Sequence, residues 1–138
     1  MKEYAFTLDV DKDIRSQVYR LTANAAMERG DAVHVATEDN EDIIERFVVA
    51  ALPVLRGAFG RYEAKVFLSG DVEVIVNMPD NWNGSVDELR DLCRDFLVNM
   101  AVAGWFGLSG SGENFVSAAN VALSGIGLLM EKRLKPVR

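Results

Sequence analysis

Apolar and polar positions follow two different periods along the chain, and each change of period marks an element. From Thr37 to Phe59 (TEDNEDIIERFVVAALPVLRGAF), Ile43, Ile44, Phe47, Val48, Ala51, Val54, Leu55, Ala58 and Phe59 recur at spacings of three and four. That predicts a long helix with a broad apolar stripe, the wall against which shorter elements pack. Thr37 or Asp39 is placed to cap its start. The acidic first turn (Glu38, Asp39, Glu41, Asp42) complements the positive end of the helix dipole, Arg46 and Arg56 come later, and Gly60 is a stop. Pro53 removes a backbone donor and crowds the preceding turn, so a kink or helix restart is expected near Val49–Pro53.

Before this helix, Tyr4, Phe6, Leu8 and Val10 alternate with polar or small residues at the period of a half-buried strand. Asp11 or Asp13 then caps a helix with Ile14, Val18, Leu21, Ala25 and Ala26 inward and Gly30 at its end. Asp31–Ala36 is a connector. After Gly60 the period becomes two. Tyr62, Ala64, Val66 and Leu68 share one face, as do Val72, Val74, Val76 and Met78, with Ser69-Gly70-Asp71 between the runs. This predicts an antiparallel hairpin at about residues 61–78. Two strands alone are marginal in water, so the N-terminal strand is expected to extend them into a small three-stranded sheet. Phe67 and Ile75 fall on the opposite face, a hint that both faces of the hairpin touch protein.

Pro79–Gly84 has the composition of a loop. Ser85 opens the next helix with Glu88 at the capping-box spacing. Leu89, Leu92, Cys93, Phe96, Leu97, Met100, Ala101 and Trp105 form its stripe, and Gly107–Gly112 (GLSGSG) is a flexible break. A last helix runs from about Asn114 to Leu134, with Phe115, Ala118, Ala119, Ala122, Ile126, Leu129 and Met130 inward. The fold class is therefore mainly α, a four-helix core with an inserted antiparallel β-hairpin, in one domain spanning residues 1–138.

Composition narrows the function without naming it. A chain of 138 residues can bury a core without staples, and 49% hydrophobic with 26% charged residues excludes a disordered chain. The net charge of −6 argues against a general nucleic-acid binder, and no sequence-specific nucleic-acid partner is expected. A local basic patch at Lys132, Arg133, Lys135 and Arg138 reads either as a site for an acidic partner or phosphates, or as cations completing the last helical turn; the second reading is preferred. Cys93 stands alone, so no internal disulfide forms and a reducing compartment fits. The N-terminus has no uninterrupted apolar run, so no signal peptide is expected, cytoplasm is the default, and the acceptor-like Asn83-Gly84-Ser85 is idle.

Candidate chemistry is weighed against structural alternatives. Glu38, Asp42 and Glu45, and likewise Glu88, Asp91 and Asp95, form acidic stripes at helical spacing that could suit a hard cation or acid/base work. Arg46, Arg90 and Arg94 are interleaved, and solvated faces explain both stripes better. His34, the single histidine, lies in a connector without a nucleophile elbow. Gly107-x-x-Gly110-x-Gly112 has no Lys-Ser/Thr following it and joins two helices, so it is a linker and not a phosphate cradle. Phe115–Met130 is apolar but short for a membrane span and carries Ser117, Asn120 and Ser124; buried helices explain it better, and no membrane partner is expected. No cofactor or metal is expected. Trp82, in a polar loop, suits an exposed interface anchor, whereas Trp105 suits the core.

The stretches Leu21-Thr22-Ala23 and Ala36-Thr37-Glu38-Asp39-Asn40-Glu41-Asp42-Ile43-Ile44-Glu45-Arg46-Phe47 sit in the order helix, acidic-capped helix, hairpin, helix, helix, basic end. That order resembles the small head-to-tail connector proteins of tailed bacteriophages, which also begin with a short helix, an acidic cap and an Ile/Leu-rich helix. Phe96-Leu97-Val98-Asn99, Trp105 and the closing Lys135-Pro136-Val137-Arg138 resemble uncharacterised proteins of gut-bacterial prophage clusters. The Tyr and Asn-Arg pair with which connectors close their third helix has no counterpart here. The resemblance implies a non-enzymatic structural protein, in the cytoplasm or a virion, whose partners are itself in a ring or portal and tail proteins. Phe67, Ile75, Trp82, Lys132, Arg133, Lys135 and Arg138 are the candidate interface residues, on the hairpin, the Pro79–Gly84 loop and the basic end. The alternatives are an orphan helical domain that binds a small ligand or regulates a partner, and an enzyme using a carboxylate stripe.

Overall fold

Period-two alternation produces three strands, although Val10 and Tyr62, read as part of the alternating runs, fall just outside them. In a computed structural model, which describes residues 1–29, 35–107 and 110–133, Lys2–Leu8 (β1), Ala64–Ser69 (β2) and Asp71–Met78 (β3) form an antiparallel sheet in the order β1-β3-β2. His34, Gly30, Leu134, Lys135 and Arg138 lie outside the described residues. Gly70 takes the positive φ of 73° that the hairpin turn needs. Phe6, Val74 and Val66 stand in one row across the sheet, with Leu8, Val72 and Leu68 in another, so the apolar residues of all three strands share one face. The hairpin is thereby joined by β1 along β3, leaving β1 and β2 as the two edges.

Four helices carry the rest: α1 (Ser16–Arg29), α2 (Glu41–Gly57), α3 (Val86–Phe106) and α4 (Gly110–Met130). A π-helical turn, Val10–Arg15, leads into α1, and its cap is Asp9 rather than Asp11 or Asp13. The Asp9 carboxylate accepts from the backbone N–H of Asp11 and Lys12, both at 2.9 Å, while Asp13 is turned inward. Asp13 accepts the Asp9 N–H at 2.7 Å and a guanidinium N–H of Arg90 at 2.6 Å, tying this turn to α3.

The long helix runs through the exposed Pro53 without a restart. A 3₁₀ turn, Glu38–Asn40, precedes α2. The α2 stripe is also narrower than its spacing suggests. Ile44, Val48, Ala51, Leu52 and Leu55 are buried, whereas Ile43, Val49 and Val54 face out. The centre of the molecule is instead α3, which touches α1, α2, α4, β1 and the π-helical turn. Its residues Phe96, Leu97, Val98, Ala101, Val102 and Ala103 are all buried, a helix apolar almost all round because it is covered from several sides. Ser85 caps it, its Oγ accepting the Glu88 N–H at 3.3 Å. Gly107 ends it, and α4 begins at Gly110, earlier than Asn114, and finishes at Met130. Ala118 of α4, expected inward, is exposed.

Thr22 is buried without any apolar partner pattern to announce it. Its hydroxyl donates to the Tyr19 carbonyl at 3.1 Å and accepts the Ala36 N–H at 3.0 Å, fastening α1 to the segment that enters α2.

Candidate interaction surface

The Pro79–Gly84 loop expected to face a partner is folded against Lys132 and Arg133 instead. Trp82 is only 6% exposed. Its indole N–H donates to the Leu129 carbonyl at 2.9 Å, and Tyr4 meets it edge-on with ring centroids 5.0 Å apart. Residue 82 also pairs with Arg133 in an antiparallel bridge, and the Asn83 N–H reaches the Lys132 carbonyl at 3.1 Å. The loop therefore staples the end of α4 to the sheet, which removes Trp82 from the set of exposed anchors. Gly84 is required here, since a Cβ on it would stand 2.1 Å from the indole ring.

Arg133 completes the end of α4, donating from one guanidinium nitrogen to the carbonyls of Met130 (2.7 Å) and Lys132 (2.9 Å). Its other nitrogen donates to the hydroxyl of Tyr62, which also receives a hydrogen bond from Arg61 and gives one to Glu131. Both guanidinium groups lie over the Tyr62 ring. Lys132, half exposed, stands 4.0 Å from Glu88. For Arg133 this is the end-of-helix role preferred for the basic patch, extended to a corner that joins α4 to the residues before β2.

Of the first acidic stripe, Glu45 faces Arg15 at 3.9 Å; Arg15 also lies 3.7 Å from Glu41 and pairs with Asp11. Asp91 and Asp95 lie 3.3 and 3.2 Å from Arg94. Among the described residues no group of three or more His, Cys, Asp or Glu side chains is arranged to hold a metal ion. Cys93 is fully buried in α3, and burial pushes its thiol up to about 12. Trp105 is partly buried against the core. No helix among the described residues is long and apolar enough to cross a membrane.

The open apolar surface lies on the other side, where edge strand β2 runs beside α2. Val49, Leu52, Pro53 and Arg56 of α2 and Val66, Phe67 and Leu68 of β2 line an open groove of about 600 Å³. Phe67 is 39% exposed and sits on the outer face of the sheet opposite Glu73; Ile75, half-buried, lies on that same face between Ala5 and Lys65. Arg56 Nε donates to the Ala64 carbonyl at 3.1 Å, so one acceptor of the free strand edge is already covered. Arg46, Arg56 and Lys65 make no ion pair among the described residues, although Asp42 and Glu45 line a cavity with Arg46 and Glu3 and Glu63 line one with Lys65. Val49 and Pro53 lie outside the apolar stripe read from the sequence, so the spacing of α2 did not announce the groove. A second apolar groove, about 350 Å³, lies where Phe47, Ala50 and Ala51 of α2 approach Met100, Ala103 and Gly104 of α3.

No family model, curated protein or solved structure matches this chain.

Proposed function

We propose that this chain is a non-enzymatic interaction protein that receives a protein partner in the groove between α2 and edge strand β2. The observation that carries the reading is the placement of Phe67: an aromatic side chain, exposed, on a strand with a free edge, beside Val49 and Pro53. Aromatic anchors next to an apolar pocket supply most of the energy of an interface, and an open strand edge adds backbone donors and acceptors. The setting we propose follows from the sequence resemblance, a structural role in a phage-like element in the manner of a head-to-tail connector, with portal or tail proteins as partners.

The test is affinity capture from a host in which resident prophage has been induced, with the native chain and with Phe67→Lys and Val49→Glu. Recovery of portal, capsid or tail proteins by the native chain and their loss with both variants is the expected result. Equal recovery by the variants removes the groove from the interface, and recovery of none of these proteins removes the phage setting.

A second reading rests on the apolar groove at Phe47, Met100 and Gly104, which fits a small apolar ligand better than a polypeptide. Native mass spectrometry of the purified chain decides it: a co-purified apolar molecule favours ligand binding, and a bare protein mass counts against it.

A further inference from the structure

The outer face of α4 carries a second, independent apolar surface. From Asn114 to Met130 the chain has no charged residue, although a quarter of the whole chain is charged. The helix packs chiefly on α3, through Ala119, Ala122, Ile126, Leu129 and Met130, which leaves the opposite face open. On that face Val121 and Leu128 are 73% and 75% exposed, among the most exposed large apolar side chains of the described residues. Ser117, Val121, Ser124 and Leu128 follow one another at spacings of four, three and four, the seam of a helix that packs lengthwise on another helix.

We propose that this seam pairs antiparallel with the same seam of a second copy, making the protein a two-fold symmetric dimer through α4. Three relationships select this occupant. An isologous contact pairs residue i with residue j of the copy and j with i, and about a two-fold axis between Val121 and Ser124 each large residue meets a small one. Val121 then faces Ser124 of the other copy and Leu128 faces Ser117, so side chains interdigitate without collision. Antiparallel pairing brings Glu113, at the start of the helix, to the end of the copy's helix, where Lys132 lies two residues past Met130, twice. Lys132 is free to do this because its contact with Glu88 is 4.0 Å long and both groups are half exposed, a pairing of little energy. Antiparallel alignment also sets the helix dipoles against each other favourably. Finally, a chain of net charge −6 repels a copy of itself over most of its surface, and the uncharged face of α4 is where that repulsion is least. This contact is separate from the α2–β2 groove and leaves that groove open.

The experiment uses the full chain in sedimentation equilibrium over a concentration range up to millimolar. A dimer is expected, and Val121→Glu with Leu128→Glu is expected to yield a monomer whose circular dichroism matches that of the native chain, since both side chains point away from the core, and whose melting temperature no longer rises with concentration. Glu113→Lys is expected to weaken the dimer several-fold at low salt, and Glu113→Lys with Lys132→Glu to restore it. Orientation is read by disulfide trapping. Ser117→Cys mixed with Leu128→Cys is expected to cross-link while neither does so alone, because like positions in an antiparallel pair stand eleven residues, about 16 Å, apart along the axis. A native chain that is monomeric throughout overturns the proposal, and its co-sedimentation with anionic phospholipid vesicles in that case would give the face to a lipid surface. A dimer indifferent to the Val121 and Leu128 substitutions, or one in which each cysteine variant cross-links with itself, overturns it equally.

Discussion

The indole N–H of Trp82 reaches across forty-seven residues of chain to the carbonyl of Leu129, at 2.9 Å, and closes the last turn of α4 onto the loop that leaves β3. The acceptor belongs to the final carbonyls of a helix, which have no partner of their own within it. A residue suited by composition to an exposed surface is thus a fastening of the core, and its replacement acts on stability rather than on recognition.

Trp82→Phe loses the indole donor and one of its two fused rings, while the Leu129 carbonyl keeps the Lys132 N–H at 3.2 Å; the lost hydrogen bond alone is expected to cost about 0.5–1.5 kcal/mol. Gly84→Ala drives a methyl into the indole ring and is expected to cost at least about 1–3 kcal/mol. Urea denaturation of the two variants measures both. Native stability in Gly84→Ala would mean that Trp82 does not hold this position.

Thr22→Val preserves the volume of the side chain and removes the acceptor for the buried Ala36 N–H. The expected loss is about 1–3 kcal/mol, with Thr22→Ser closer to the native value because the hydroxyl remains. Hydrogen exchange at the Ala36 amide localises the effect, and unchanged protection there in Thr22→Val would remove the proposed fastening.

Cys93 should be inert in the folded chain. Burial favours the neutral thiol and holds its ionisation up at about 12, so iodoacetamide at pH 8 is expected to modify it only after denaturant is added. The same shift sets a pH dependence. The unfolded thiol ionises near its ordinary value, about 8.5, before the folded one does, so this group's contribution is complete below that pH and is lost as pH rises towards 12. Comparing the alkaline fall in stability with that of Cys93→Ala isolates the term. Rapid alkylation of the native protein would contradict the burial.

Phe67→Lys is expected to leave stability within about 0.5 kcal/mol, because the ring lies at the open edge of the sheet and has no deep pocket to vacate. The same holds for Val49→Glu on the outward side of α2. Thermal melts check this directly, and a large loss in either variant would mark the groove as core rather than surface.

Local periodicity determined most of the elements. The alternation of Tyr4, Phe6 and Leu8 and of Val72, Val74, Val76 and Met78 requires strands with one apolar face, and Ser85 with Glu88 fixes where α3 begins, because these signals act between near neighbours. The three-stranded sheet was legible for the same reason, as a two-stranded hairpin cannot cover its own face.

What covers each face was decided only in three dimensions. An apolar stripe states that a helix has something to bury and says nothing of the neighbour, so the central position fell to α3 instead of the more regularly patterned α2, and Val49, Val54, Val121 and Leu128 were left outside. The loop around Trp82 shows the limit most plainly. Its residues are polar and turn-forming in sequence, and their burial depends on Leu129, Lys132 and Arg133, which no local pattern connects to them. Contacts between distant residues arise from the meeting of whole elements, and it is there that a basic, aromatic-flanked surface became a structural corner while the open groove moved to α2 and β2.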